Sequence, residues 1–147
     1  AVKRMPTHWV RRGQEDFDLH HPGAYEQPWV DIALVRLLGW LDFPCVCELF
    51  SVKRNELETF VSSTFCMEGD LFHWCHGRSV PPPGREREER MRPIVAQLVA
   101  AVRWLHDLGV AHRDLSLENV LLERRGDERK LRLIDFGMAT LKRLVRK

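Results

Sequence analysis

The chain has 147 residues, of which 44% are hydrophobic, and its 23 lysines and arginines nearly balance 21 aspartates and glutamates for a formal net charge of +2. This length lies within the range of about 100–200 residues that is typical of one folded domain. No apolar stretch reaches the ~20 residues of a membrane span, because Arg36 interrupts residues 32–43, and Gln97 and Arg103 interrupt residues 94–105. We therefore expect a folded chain with one hydrophobic core and no membrane-spanning segment.

The charge pattern argues against a nucleic-acid-binding protein, and the cysteine content argues against a secreted protein held together by disulfides. The charged run Arg85–Arg90 mixes both signs, and the basic cluster within Lys142–Lys147 is short, so we expect solvated surface and no nucleic-acid partner. The cysteines are too few for a disulfide framework in a chain of this length, and they fit a reducing compartment, the cytoplasm or the nucleus. They are Cys45, Cys47, Cys66 and Cys75.

The N-terminal half combines a polar connection, a helix and a hairpin. Residues 11–27 are polar and contain a turn signal, which predicts an irregular connection. Apolar side chains recur at helical spacing over residues 29–41, which predicts a helix. Two strands, at residues 46–52 and 57–63, are expected to form a hairpin around a turn at residues 53–56.

The C-terminal half is expected to contain one long helix. A proline-rich break at Val80–Gly84 precedes the charged run, and Pro93 suits the first turn of the helix that follows. This helix is expected to end at Leu108-Gly109, where glycine can close it. Four apolar side chains recur at helical spacing along it: Ile94, Leu98, Val102 and Leu105.

Two short motifs indicate the chemistry. His112-Arg113-Asp114 is followed by Asn119, and Asp135-Phe136-Gly137 comes after an apolar, strand-like run. Either tripeptide alone is a weak signal, but strand-like segments at residues 120–122 and 131–134 place both in one strand–turn–strand context. With these motifs in this context, the chain resembles the protein kinases.

The resemblance implies an α+β fold of the two-lobed protein-kinase type, present in part. Residues 1–63 would form part of the N-lobe, with antiparallel strands and the helix that kinases call αC. Residues 64–69 would form the hinge, and residues 70–147 the first part of the helical C-lobe, up to the start of the activation loop. No G-x-G-x-x-G precedes Lys3 and no A-P-E follows the D-F-G motif, so we expect a fragment of a kinase domain that is inactive alone.

The resemblance also implies catalytic roles for four residues. Asp114 would accept the proton of the substrate hydroxyl, and Asn119 and Asp135 would bind Mg²⁺ through oxygen atoms. Lys3 stands where kinases place the strand lysine that contacts the α- and β-phosphates of ATP. Considered alone, Lys3 would more often be a solvated surface lysine, and it is the downstream motifs that favour the catalytic role.

Further residues are implied to contact the adenosine of ATP. Ala1 and Leu121 would cover the adenine ring, and Ser63 would be a small gatekeeper ahead of the hinge. The backbone of the hinge, Thr64-Phe65-Cys66, would hydrogen-bond adenine. Asp70 would accept hydrogen bonds from the ribose hydroxyls, and a helix-capping role for Asp70 is a compatible alternative.

Two positions depart from the kinase pattern. Kinases pair the strand lysine with a glutamate on αC, whereas this chain offers the shorter Asp31, or Glu26 just ahead of Pro28, and we favour Asp31. A helix-capping or surface role for Asp31 is an equal alternative. Serine/threonine kinases usually carry a lysine where this chain has Ser116. We expect an ATP- and Mg²⁺-dependent kinase that acts on serine or threonine of a protein substrate; the alternative is a pseudokinase-like regulatory binding module.

Overall fold

The computed structural model describes residues 1–77, 80–126 and 128–141, and their packing divides into two compact units. The first unit contains Ala1–Phe65 and Asp135–Ala139, and the second contains Cys66–Ile134 and the described part of Thr140–Lys147. Helices and antiparallel strands occur together, which confirms the expected α+β class.

Other expectations concern boundaries and termini. The lobe boundaries at residues 63 and 69 stay a prediction. The basic cluster at the C-terminus, expected to begin an activation loop, lies outside the described residues. Among the helices that the structure describes, none combines the length and the apolar character of a membrane-crossing segment.

The first unit is built on a three-stranded antiparallel sheet. Its strands are β1 (Val2–Pro6), β2 (Leu49–Arg54) and β3 (Glu58–Ser63), with β3 in the middle. A 3₁₀ turn at Thr7–Trp9 follows β1, and two helices come next, α1 (Gln14–His20) and α2 (Pro28–Trp40). The register places Lys3 of β1 opposite Val61 of β3.

Helix α2 confirms the helix predicted from apolar periodicity. It begins at Pro28. Proline suits this position because backbone N–H groups in the first turn have no partner within the helix, so the absence of one costs nothing, and because its fixed φ is close to the helical value. Asp31, Leu34 and Leu38 lie on its buried face at spacings of three and four residues. Asp31 is therefore the one charged side chain on a buried helix face that is otherwise apolar.

The prediction of an irregular connection at residues 11–27 is wrong, because α1 lies within it. Glu15 and Asp16 in the first turn and His20 in the last complement the helix dipole. Phe17 is the one residue of α1 that is buried. A helix with a single buried side chain lacks the apolar periodicity by which longer helices are predicted.

The hairpin has the predicted antiparallel topology, but its bounds were misplaced. β2 runs over Leu49–Arg54 and not over residues 46–52, so Lys53 and Arg54 belong to the strand and not to the turn. The turn begins later than predicted, at Asn55. The Oδ1 of Asn55 accepts hydrogen bonds from the backbone N–H groups of Leu57 and Glu58, at 2.9 and 2.7 Å. Asparagine stabilises turns in this way.

The second unit contains two helices and two short antiparallel pairs. The helices are α3 (Leu71–His76) and α4 (Arg85–Asp107), and a 3₁₀ turn covers Leu117–Asn119. The pairs are β4 (Val110–Ala111) with β7 (Thr140–Leu141), and β5 (Val120–Arg125) with β6 (Glu128–Leu133). Alternate residues of β5 and β6 are buried, which confirms the strands expected between the two motifs.

Helix α4 begins at Arg85, so the predicted position of Pro93 in its first turn is wrong. The charged run is already helical, with ion pairs four residues apart that support it: Arg85–Glu89 at 3.0 Å and Glu86–Arg90 at 2.9 Å. Pro93 lies inside the helix at an exposed position, where it removes one backbone hydrogen bond.

We predict that Leu38→Ala will destabilise the chain by about 2–5 kcal/mol, because it leaves a cavity in a fully buried position. Leu37→Ala, one residue away on the same helix and 41% exposed, is the matched control and should cost less than about 1 kcal/mol. Urea unfolding followed by tryptophan fluorescence measures both. Equal losses for the two variants would contradict the assignment of the buried face.

Candidate active site

In the first unit, Lys3 on β1 lies between two carboxylates. Its Nζ is 2.8 Å from Oδ2 of Asp31 and 3.2 Å from Oδ1 of Asp135. Burial lowers the pKa of Lys3, but the charges and hydrogen bonds of the two aspartates more than offset this, so its pKa lies above the usual value. Lys3 is therefore a charged ammonium group fixed by two ion pairs, and not a freely solvated lysine.

Asp31 uses both of its carboxylate oxygens. While Oδ2 accepts from Lys3, Oδ1 accepts from the backbone N–H of Phe136 at 2.9 Å. Asp31 is 7% exposed and Phe136 is fully buried, so the bond to Phe136 forms away from solvent, whereas the bond to the half-exposed Lys3 is partly buried. Of the two acids that the sequence left open as partners of Lys3, the structure pairs Asp31.

Glu26 lies beside Asp135 instead. The negative charge of Asp135 raises the pKa of Glu26, and partial burial raises it further. The next residue, Gln27, donates its backbone N–H to the carbonyl of Gly137 at 2.8 Å. Two residues ahead of α2 thus contact the Asp135-Phe136-Gly137 segment, a role that no sequence signal indicated.

Asp135 itself has an unusual backbone conformation. Its φ is 62°, in the left-handed region that side chains other than glycine rarely adopt, and Arg113 of the other motif has a φ of 70°. Such conformations cost energy and persist where surrounding contacts hold them, often at functional sites. For Asp135, those contacts include Lys3 on its side chain and Asp31 on the following N–H.

In the second unit, Asn119 orients Asp114. The Nδ2 of Asn119 donates to Oδ2 of Asp114 at 2.8 Å and to its backbone carbonyl at 3.0 Å. His112 supports the same loop: its Nδ1 accepts from the N–H of Asp114 at 3.3 Å, and its Nε2 donates to the carbonyl of Ile134 at 3.1 Å. The loop therefore fixes Asp114 from its side chain and from its backbone.

The residues predicted to contact adenosine fall in both units. In the first unit, Ala1 and Ser63 exchange two backbone hydrogen bonds, at 2.6 and 3.0 Å, and the N–H of Thr64 donates to Glu48. In the second unit, the carbonyl of Cys66 accepts from Gly69 at 3.2 Å. Their proposed contacts with adenine stay predictions.

Asp70 is the N-cap of α3. Its Oδ1 accepts from the backbone N–H of His73 at 2.8 Å, and the His73 ring lies 2.7 Å from Oδ2. Burial raises the pKa of Asp70, but the hydrogen bonds from His73 outweigh it and leave the pKa below its usual value. An isolated bridge joins Asp70 to Leu121. The capping role is observed, and the ribose contact stays a prediction.

The sequence comparisons agree with this geometry. The model of the family described as protein kinase domain matches residues 29–144, most of the chain. This chain belongs to the protein kinase family. The expected family is therefore confirmed, together with a partial kinase-type α+β fold.

Several named serine/threonine kinases are similar to this chain. CBL-interacting serine/threonine-protein kinase 5 of Arabidopsis thaliana is 33% identical over 86% of this chain, and CBL-interacting protein kinase 16 of Oryza sativa subsp. japonica is 36% identical over 84%. Serine/threonine-protein kinase kin-29 of Caenorhabditis briggsae is 32% identical over 71%. The aligned regions cover 26%, 25% and 12% of these three kinases.

We predict that Asp31→Asn will lower the pKa of Lys3, because the variant removes the nearer of the two charges that raise it. Asp42→Asn, at an exposed position after α2, is the matched control and should leave the pKa of Lys3 unchanged. An NMR titration of the lysine ε-methylene groups measures this pKa. An unchanged or higher pKa in the Asp31 variant would contradict the ion pair.

Proposed function

We propose that the chain contributes the phosphate-binding and catalytic residues of an ATP- and Mg²⁺-dependent protein kinase, which transfers the γ-phosphoryl group to a serine or threonine hydroxyl of a protein substrate. The main support is Lys3, fixed between Asp31 and Asp135 within one unit. A fixed ammonium group beside the D-F-G carboxylate is suited to the α- and β-phosphates of ATP. The serine/threonine kinases among the similar proteins support the choice of acceptor.

The available side-chain atoms fit Mg²⁺. Asp135 in the first unit presents a carboxylate and Asn119 in the second an amide oxygen, and Mg²⁺ prefers oxygen ligands. Because the Nδ2 of Asn119 donates to Asp114, the amide is oriented and its Oδ1 remains as an acceptor. When bound, Mg²⁺ would neutralise charge on the phosphate oxygens.

Asp114 is the proposed proton acceptor. The substrate oxygen forms a bond to the γ-phosphorus, the bond from that phosphorus to the β–γ bridging oxygen breaks, and ADP leaves. The hydroxyl proton passes to Asp114. Asn119 binds Oδ2 of Asp114, while Oδ1 makes no hydrogen bond with any residue in the described ranges, so Oδ1 is the atom we assign to the proton.

The adenosine contacts are part of the same proposal. Ala1 and Leu121 would pack on adenine, with Ser63 as the gatekeeper and the backbone of Thr64 and Cys66 as hydrogen-bonding partners. Asp70 would accept from the ribose, but only by sharing a carboxylate that already binds the N–H and ring of His73. Because its carboxylate already binds His73, Asp70 has less hydrogen-bonding capacity left for ATP than the other residues proposed to contact adenosine.

A pseudokinase-like regulatory module is the second candidate. Ser116 stands where serine/threonine kinases usually carry a lysine, which removes a positive charge near the transferred phosphate. Asp31 replaces the usual glutamate, although it does form the ion pair. The two candidates differ in whether loss of Asp114 abolishes phosphoryl transfer.

We predict that Asp114→Asn in the full-length protein will reduce phosphorylation of a generic basic protein by about 10²–10⁴-fold, because general-base catalysis contributes that much. Transfer of radiolabelled phosphate from ATP measures the effect, with ATP affinity measured in parallel and expected to be unchanged. Asp107→Asn, at the end of α4, is the matched control and should be as active as the wild type. Equal activity of the two variants would eliminate the proposed catalytic role of Asp114.

A further inference from the structure

The first unit contains a cavity of about 450 Å³ that no residue of the candidate active site lines. Its lining combines Arg11 and Arg12, three histidines, and Asp16 next to the ring of Phe17. Pockets for small ligands typically measure about 300–1,000 Å³. The lining residues all precede residues 29–144, where the kinase family model matches, and none of them has a role in the candidate active site.

Aromatic rings form one wall of the cavity. The Phe17 and His21 rings are tilted against each other with centroids 4.7 Å apart, and Trp9 meets Phe17 edge-on at 6.1 Å. His8 lies 6.3 Å from His21. Phe17 is 4% exposed, which anchors the group in the core. Because the Phe17 ring is covered, the rings of His8 and His21, which line the cavity and are not buried, form the surface on which an aromatic or apolar ligand body can pack.

The two arginines supply donors that the chain itself leaves largely unused. Arg11 makes no hydrogen bond or ion pair with residues in the described ranges. Arg12 reaches Oδ1 of Asp16 only at 3.8 Å, and Asp16 also lies 3.7 Å from His20. Guanidinium groups match phosphate oxygens in a bidentate geometry, and two of them outweigh the single carboxylate of Asp16.

Hydrogen bonds connect the helix that lines this cavity to the D-F-G segment. Gln14 of α1 donates from Nε2 to the side-chain oxygen of Gln27 and, at 2.8 Å, to Oδ1 of Asp18. Gln27 in turn donates its backbone N–H to Gly137. Contiguous contacts of this kind can transmit a change at one site to another when both ends respond.

We propose that the cavity is an effector site for a phosphomonoester with an aromatic body, and that an occupied cavity stabilises the hydrogen bond from Gln27 to Gly137. The phosphate binds Arg11 and Arg12, and the aromatic body packs on the rings of His8 and His21. The regulatory meaning rests on the proposed kinase function, whereas the binding itself does not.

Calorimetry with phenyl phosphate tests the binding, because this probe combines the two features required. Saturable binding is expected, tighter than that of inorganic phosphate, and at least about tenfold weaker in the double variant Arg11→Gln, Arg12→Gln. Arg36→Gln, which removes one positive charge from an exposed site on α2, should bind like the wild type. No saturable binding, equal affinity for inorganic phosphate, or equal affinity in the double variant would overturn the site.

Hydrogen exchange of the Gln27 amide tests the connection. Saturating phenyl phosphate should slow this exchange several-fold in the wild type, but not in Gln14→Ala, which should still bind the probe. Glu15→Ala, also in the first turn of α1, is the matched control and should behave like the wild type. Binding without slower exchange would overturn the proposed coupling. Neither calorimetry nor hydrogen exchange depends on phosphoryl transfer. A negative result would therefore overturn the effector site but leave the proposed kinase function untouched.

Discussion

The carboxylate of Asp31 connects three parts of the first unit. It projects from the buried face of α2, accepts from Lys3 on the edge strand β1, and accepts from the N–H of Phe136 just after Asp135. Buried carboxylates are unfavourable unless both oxygens are satisfied, and these two partners meet that requirement. A strand, a helix and a loop from distant parts of the sequence therefore depend on one short side chain.

The same contacts explain how a shorter acid can serve where kinases use glutamate. Aspartate reaches less far, yet the Nζ of Lys3 still lies 2.8 Å from its carboxylate. The other oxygen then bonds to Phe136, so the helix and the D-F-G segment are fixed together. In the second unit, Asn119 fixes Asp114 by an equally local contact. Each unit thus positions its own catalytic candidates through contacts within that unit.

The sequence predicted those parts of the structure whose signals are local. The two motifs indicated the family, and apolar periodicity predicted α2 and the long α4. Helix α1 was not predicted, because Phe17 is its one buried side chain and it therefore has no apolar periodicity. The choice between Asp31 and Glu26 depends on where α2 begins and which face it buries, which periodicity places only approximately. The bond from Gln27 to Gly137 had no signal at all, because any residue except proline can supply a backbone N–H.

The measurement that tests this account most directly is hydrogen exchange of the Phe136 amide in Asp31→Glu, the change toward the usual kinase residue. An added methylene moves the carboxylate by roughly 1.5 Å relative to the helix, so both oxygens cannot keep their present partners at hydrogen-bonding distance. We expect faster exchange at the Phe136 amide in this variant than in the wild type. Unchanged or slower exchange would show that Asp31 is not what fixes the segment.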